Sequence, residues 1–163
     1  MKKGKLEYQQ QQFFNMKQNF SFPISYGLSK TGLPLIPVIV GDYALCFIID
    51  TGATLSLLDS SVADRLGDLA NKNNKNSIIL GIDGKHRELE HSTTLSFQID
   101  EYTFTHTFDC ESLFEALIKI EIESDIQVHG ILGNDFLLKN KWIIDFEKLE
   151  IYSMQKADNS NKA

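Results

Sequence analysis

An aspartate that closes an apolar segment is the residue of this sequence best placed to do chemistry. An apolar run that begins at Phe47 leads into Asp50, and Thr51 and Gly52 follow it. A carboxylate at the end of a buried strand can act as a general acid or base. The same tripeptide also occurs in ordinary turns, where the aspartate only accepts a hydrogen bond from a nearby backbone amide. This segment alone leaves both interpretations of Asp50 open.

A second apolar segment lies downstream, at residues 129–137, and reads His-Gly-Ile-Leu-Gly-Asn-Asp-Phe-Leu. By itself it is typical of a buried strand that ends at a glycine. Together with Asp-Thr-Gly at residues 50–52, it resembles the corresponding segments of the retropepsin-like aspartic peptidases. That family contains the retroviral proteases and their cellular and bacterial relatives.

The resemblance implies a mainly β fold, a retropepsin-like half-barrel with short helices, one of them inserted before the strand Ile131–Gly133. It also implies an aspartic endopeptidase, in which two carboxylates share a proton and activate a water molecule. The chain has one Asp-Thr-Gly segment and no internal repeat, so two chains would each contribute one Asp50 across a two-fold axis. The implied partners are a second copy of the chain and a peptide or protein substrate.

The resemblance implies Asp50, Thr51 and Gly52 as the catalytic residues. The Thr51 hydroxyl would hydrogen-bond across the dimer, and Gly52 would bring its amide to the Asp50 carboxylate. The substrate would lie as an added strand in the cleft, beneath a covering hairpin, the flap. The substrate-binding residues would be Ala53, Gly81, Ile82, Asp83, Gly84 and Ile131. An ordinary surface hairpin is the alternative for residues 81–84.

One departure from the family concerns the support of the catalytic loop. Many retroviral enzymes pair acidic residues after the first motif with an Arg after the downstream glycine. Here Thr54, Leu55 and Asn134 stand in those regions. The contacts that hold the loop and the dimer must therefore differ.

Turn signals and apolar spacing indicate the elements that would position these residues. Three hairpins are predicted, with turns at Gly41-Asp42, Asp83-Gly84 and near Asp100-Glu101. Helices are predicted from the Asp59-Ser60-Ser61 cluster to Gly67, within 111–123 and over 134–140. Closing strands are expected at 142–146 and 149–152, and the first strand of the Asp83-Gly84 hairpin is expected from Ser77, after the polar run 71–76.

Composition limits the class of protein and its partners. The predicted domain spans residues 23–156, after a polar arm at 1–22 and before a disordered tail at 157–163. A net charge of −6, from 16 basic and 22 acidic residues, argues against a nucleic-acid partner. No apolar run reaches the length of a membrane span, and the start lacks the apolar core of a signal peptide. We therefore expect no membrane partner and a cytoplasmic location.

Other chemistries have little support in the sequence. Cys46 lies in an apolar run, which favours a buried thiol over a disulfide. The histidines lack metal-site spacing and are interpreted as solvated or strand-surface residues: His86, His91, His106 and His129. No phosphate loop, dinucleotide-binding glycine pattern or nucleophile elbow occurs, so neither a metal nor a cofactor is expected.

Two non-enzymatic interpretations remain open beside the peptidase. In the first, the same fold serves as a non-catalytic peptide-binding or dimerisation module. In the second, the chain is an unrelated β-rich interaction protein in which Asp50 is only a turn residue. A catalytic loop with the Ile131–Gly133 strand beneath it would argue against the second interpretation.

Overall fold

The computed structural model describes residues 16–80 and 86–156, with the backbone alone for residues 16–19, 74–80, 86–90, 155 and 156. Ten strands lie within these residues: β1 (Met16–Pro23), β2 (Leu35–Val40), β3 (Tyr43–Ile49), β4 (Leu57–Asp59), β5 (Asn71–Leu80), β6 (His86–Ile99), β7 (Tyr102–Glu111), β8 (Gly130–Leu132), β9 (Trp142–Asp145) and β10 (Glu150–Lys156). The α-helices there are α1 (Ser25–Thr31), α2 (Ser60–Leu66), α3 (Phe114–Ser124) and α4 (Asn134–Lys139).

The chain forms two compact units, and the larger of them is Ile24–Lys139. Its seven strands follow the order β2-β3-β8-β4-β7-β6-β5. A further pairing of β2 with β6, between Ile39 and Gln98, joins the two sides of this sheet. The sheet therefore closes on itself like a barrel, and the predicted mainly β fold with short helices is confirmed.

Two of the predicted hairpins lie within the described residues, and both are present. β2 pairs antiparallel with β3 along its whole length, and Gly41 makes the turn at a φ of +57°, which costs glycine no steric strain. β6 and β7 are joined through Asp100, whose φ is 50°, a conformation that aspartate tolerates better than most residues. The first hairpin matters most for the site because β3 runs directly into Asp50.

The predicted helices are also present. α2 begins after Asp59, whose carboxylate accepts a hydrogen bond from the Ser61 amide at 2.9 Å, as an N-cap does. α3 lies before β8 and buries Leu117, while Leu113 just before it is also buried. Helix α4 follows β8, within the predicted range. None of the helices in the described part of the chain is long and apolar enough to cross a membrane.

Two segments differ from the sequence analysis. The polar run 71–76, which precedes the strand predicted from Ser77, belongs to β5, which pairs antiparallel with β6. Strand pairing is made by backbone groups and depends strongly on context, so polar composition concealed it. The second segment is α1, which was not predicted and which ends at Gly32 with a φ of 73°. One short helix of seven residues carries too little periodicity to be recognised.

The smaller unit combines the two ends of the chain, Met1–Pro23 and Asn140–Ala163. Its strands form a sheet in the order β1-β10-β9, and Phe20 stacks on Trp142 with ring centroids 4.8 Å apart. Residues 16–22 of the predicted arm are therefore paired strand. Residues 1–15 and the predicted tail lie outside the described residues, and the domain limits 23–156 stay a prediction.

An aromatic cluster supports β3 from inside the larger unit. Its members, Phe47, Phe97, Phe108 and Phe136, are all buried. The ring centroids of Phe47 and Phe108 lie 5.2 Å apart, and those of Phe97 and Phe136 lie 5.8 Å apart. Aromatic pairs attract one another at such separations. The cluster therefore holds the strand that presents Asp50 against β6, β7 and α4.

The two cysteines are free and half-buried, as the sequence predicts for Cys46. Burial raises the pKa of the Cys46 thiol to about 11, and burial is also the main cause that raises the pKa of Cys110. The thiolate loses more hydration than the thiol when it is buried. Both side chains are therefore protonated, and poorly nucleophilic, near neutral pH.

Candidate active site

Strand β8 lies beneath the loop that follows Asp50. It pairs in parallel with β3, from Phe47↔Gly130 to Ile49↔Leu132. It also pairs antiparallel with β4, on the far side of the loop. The loop at residues 50–56 connects β3 to β4, and both of these strands pair with β8. Both ends of the loop are therefore fixed by the same strand. The strand that the sequence predicts beneath the Asp-Thr-Gly segment is confirmed.

Asp50 is half-buried and is held by its own backbone and by its loop. Its amide donates to the Leu132 carbonyl at 3.0 Å, and its carbonyl accepts from the Ala53 amide at 3.2 Å. Its carboxylate oxygen Oδ1 accepts from the Gly52 amide at 2.8 Å. A Cβ at Gly52 would lie 3.1 Å from that oxygen, so glycine keeps the carboxylate approachable. An ordinary capping turn would make the same bond to the Gly52 amide, so this bond alone does not identify a catalytic acid.

Asn134, which follows the downstream glycine, hydrogen-bonds to the loop at residues 50–56. Its side-chain amide donates to the Thr51 carbonyl at 2.7 Å. Its backbone amide donates to the Ala53 carbonyl at 2.8 Å, and the Asp135 amide donates to the Thr54 carbonyl at 3.3 Å. The start of α4 is therefore hydrogen-bonded to three carbonyls of the loop. The sequence analysis noted Asn134 as a departure and assigned it no role.

A buried polar network behind the loop was not predicted from the sequence. Ser56 is buried, and its hydroxyl donates to Asp135 Oδ1 at 2.7 Å and accepts from the Gly133 amide at 3.0 Å. His106 Nε2 lies 3.1 Å from Asp135 Oδ2. Buried polar groups are retained in proteins when each finds such a partner. The network connects β7, α4, the end of β8 and the loop at residues 50–56.

The interpretation of His106 and His129 as solvated residues is wrong, because both side chains are buried. A signal for His106 was present in the sequence. His106 lies two residues from Phe104 and two from Phe108 on β7. Residues two apart lie on the same face of a strand. His129 lies just before β8, where its Nδ1 accepts from the Cys46 amide at 3.0 Å.

Glycines permit the close approach between β8 and the loop. A Cβ on Gly133 would lie 2.6 Å from the Leu55 carbonyl oxygen, and a Cβ on Gly130 would lie 2.3 Å from the Leu57 carbonyl oxygen. Both distances are far below van der Waals contact, and the opposing atoms are backbone. Only glycine fits at these two positions without movement of the main chain.

The other predicted substrate-binding residues fall into two groups. Ala53 is half-buried on the loop, and Ile131 is half-buried on β8, where it packs against a cluster that includes Leu117 of α3. Gly81, Ile82, Asp83 and Gly84 lie outside the described residues. The strands on either side of them pair directly, with Leu80 opposite His86. The structure therefore brings Asp50, Thr51, Gly52 and Ala53 together on one loop, and the flap role stays a prediction.

The two buried histidines are expected to make stability depend on pH. Burial is the main cause that lowers the pKa of each below its usual 6.5, although Asp135 opposes the shift at His106. Between the folded and unfolded pKa values the unfolded chain binds more protons, so acid favours unfolding. The free energy of unfolding should therefore fall as the pH drops from above 6.5 towards the folded-state pKa values.

Urea unfolding at several pH values across this range measures the effect. His106→Gln and His129→Gln should each reduce the pH dependence, because neither amide titrates. A stability that stays level or rises on acidification over the same range would contradict this assignment.

The family match includes the segments that form the site. Residues 36–136 match the family described as aspartyl protease, and no curated protein matches the chain. Among solved structures, the EIAV protease complexed with the inhibitor HBY-793 is 25% identical, with a TM-score of 0.46, over 66% of this chain and 86% of that one. The retroviral protease-like domain of Ddi1 from Leishmania major is 14% identical, with a TM-score of 0.46, over 78% of this chain and 94% of that one. The family match covers well over half of the 163 residues and includes both the Asp50 loop and β8, and on that ground the chain belongs to the aspartyl protease family.

Proposed function

We propose that the chain is a homodimeric aspartic endopeptidase, in which two Asp50 carboxylates, one from each chain, activate a water molecule. One observation carries the proposal. A member of the aspartyl protease family has one Asp-Thr-Gly segment in its 163 residues, and that segment forms a loop anchored on β8 with its carboxylate half-buried. Chemistry that needs two carboxylates then needs two chains.

The proposed reaction uses the dyad as both base and acid. Two adjacent carboxylates cannot both ionise at low cost, so they hold one proton between them. The ionised member takes a proton from water as the water oxygen attacks the peptide carbonyl carbon. The protonated member gives its proton to the carbonyl oxygen. Breakdown of the tetrahedral intermediate then breaks the C–N bond as a proton reaches the amine.

The exposure of the loop supports a second chain as partner. Thr51 and Gly52 are exposed in the single chain, and the Thr51 carbonyl is already taken by Asn134. The Thr51 hydroxyl would therefore meet a second chain beside the Asp50 carboxylate of the dyad. A peptide substrate would lie beside the loop as an added strand, held by backbone hydrogen bonds and by side-chain pockets.

Dilution tests the shared site. Specific activity towards a mixed peptide library is expected to fall as the protein is diluted and monomers accumulate. Sedimentation over the same concentrations should show the dimer dissociating in parallel. Adding excess inactive Asp50→Asn chain should suppress wild-type activity, because mixed dimers have one aspartate. A monomer with full activity per chain at every concentration would rule out the shared site.

The flap is tested separately, by hydrogen exchange. We propose that residues 80–85 cover the bound peptide, since the hairpin of β5 and β6 leads to them. Their amides should exchange more slowly when a peptide transition-state mimic is added. Protection that appears elsewhere, with no change at residues 80–85, would show that the flap assignment is wrong.

A further inference from the structure

The polar network behind the catalytic loop is a continuous chain of hydrogen bonds from a buried histidine to the loop. His106 Nε2 lies 3.1 Å from Asp135 Oδ2. Asp135 Oδ1 accepts from the Ser56 hydroxyl at 2.7 Å, and the Ser56 oxygen accepts from the Gly133 amide at 3.0 Å. Gly133 directly follows Leu132, whose carbonyl accepts from the amide of Asp50.

Asp135 uses its two carboxylate oxygens for different purposes. Oδ1 is shared between the loop, through Ser56, and the helix, through the Phe136 amide at 2.8 Å. Oδ2 is directed to His106. A carboxylate can rotate about its χ2 angle with little cost, so a partner on Oδ2 restricts the orientation in which Oδ1 meets Ser56. His106 supplies that partner from a different strand.

The hydrogen bond to Asp135 also determines which nitrogen of His106 carries the proton. A carboxylate oxygen only accepts, so in the neutral ring Nε2 must be the donor and Nδ1 must be bare. The ring itself packs edge-on against Phe108 and Phe136, each with centroids 5.2 Å away. These aromatic contacts hold the imidazole in place while its hydrogen bond holds the carboxylate.

We propose that His106, acting through Asp135 and Ser56, is a positioning residue that orients the catalytic loop, and that its neutral form is the one that does so. This inference rests on the proposed peptidase function for its effect on rate. Its structural part, the restraint on the loop, does not. A loop that carries half of a shared dyad needs such a restraint because small displacements of reacting groups are costly.

Protonation of His106 would disturb this arrangement. The charged groups that act on the ring are Asp135, which favours the imidazolium, and Lys139, which opposes it, both on α4. The residue opposite His106 on β6 is Leu95, which is apolar. A proton on Nδ1 would place an added donor and a charge among the two phenylalanines. Burial outweighs Asp135 and lowers the pKa of His106, which keeps the neutral form down to a pH below the usual histidine range.

Two substitutions distinguish the effect of the hydrogen-bond donor of His106 from the effect of its charge. His106→Leu fills the buried site with an apolar side chain and removes the donor, so kcat should fall about tenfold to 100-fold, with a smaller change in KM. His106→Gln can present an amide N–H near the position of Nε2, so it should restore most of kcat. Because glutamine does not titrate, the acid limb of the kcat–pH profile of His106→Gln should extend to lower pH than that of the wild type.

His129 provides the matched control. It is buried to a similar extent, 8% exposed against 7% for His106, and its pKa is also lowered. Its ring nitrogen Nδ1 bonds the Cys46 amide of β3, away from the Asp135 network. His129→Gln should therefore leave kcat and its acid limb unchanged. The inference would be overturned if His106→Leu lost no more kcat than His129→Leu. It would also be overturned if the acid limb of the kcat profile were the same in His106→Gln as in the wild type.

Hydrogen exchange makes the test independent of catalysis. Under conditions where all variants are folded, the amides of Gly133 and Asn134 should exchange faster in His106→Leu and in Ser56→Ala than in the wild type or His129→Gln. Unchanged exchange at these two amides in both variants would show that the network does not restrain the loop. If the wild-type protein cleaves no peptide, the proposed function fails, and this exchange comparison still decides whether His106 restrains the loop.

Discussion

Asp50→Asn is expected to abolish peptide hydrolysis and to leave the fold intact. Loss of a positioned acid or base typically costs about 10²–10⁴-fold in rate, and in a homodimer one substitution removes both members of the dyad. The asparagine side-chain oxygen can still accept from the Gly52 amide, which lies 2.8 Å from Asp50 Oδ1. The loop should therefore keep its conformation, and the protein should still dimerise.

A peptide-library cleavage assay from acidic to neutral pH measures the loss, and circular dichroism with sedimentation checks the fold and the dimer. Asp42→Asn is the matched control, because Asp42 is an exposed aspartate in the turn between β2 and β3 and the substitution makes the same change in charge. If Asp50→Asn cleaves at the wild-type rate after contaminating proteases are excluded, Asp50 is a turn residue. The non-catalytic module would then be the better interpretation.

Gly133→Ala is expected to reduce both stability and activity. The added Cβ would lie 2.6 Å from the Leu55 carbonyl oxygen and 3.0 Å from that of Ala53. Both atoms belong to the backbone of the loop at residues 50–56, so no side chain can rotate away to make room. Overpacking of this kind typically costs about 1–3 kcal/mol, and relief of the clash must move β8 or the loop. Activity should fall further than stability alone predicts.

Denaturant unfolding and kcat, measured at a concentration where the wild type is dimeric, separate the two effects. Gly32→Ala is the control, because a Cβ added at Gly32 would have no neighbouring atom within 4 Å, although the φ there is +73°. It should cost about 1 kcal/mol of backbone strain and leave kcat unchanged. A Gly133→Ala protein with wild-type stability and kcat would show that β8 and the loop are not in such close contact.

The elements around Asp50 could be predicted because their signals are local. The Gly41-Asp42 turn between two apolar runs, the Asp59 cap with Gly67 after the helix, and the 3.6-residue spacing in α3 each involve neighbours along the chain. Such signals predicted the hairpin that ends at Asp50 and the helix inserted before β8. The polar run in β5 was missed because its pairing is made by backbone groups, with Asn71 opposite Thr94 of β6, and the polar side chains give no sign of it.

The Asp-Thr-Gly segment and the strand beneath it could be predicted from the sequence alone, because both segments resemble those of the retropepsin-like aspartic peptidases and occur in the same order. Only the tertiary structure decided how that loop is held. Ser56, His106 and Asp135 are separated along the chain by 50 and 29 residues, and no local pattern joins them. They meet because β4 pairs with β7 and α4 begins where β8 ends, an arrangement set by the closure of the sheet and the packing of its aromatic core.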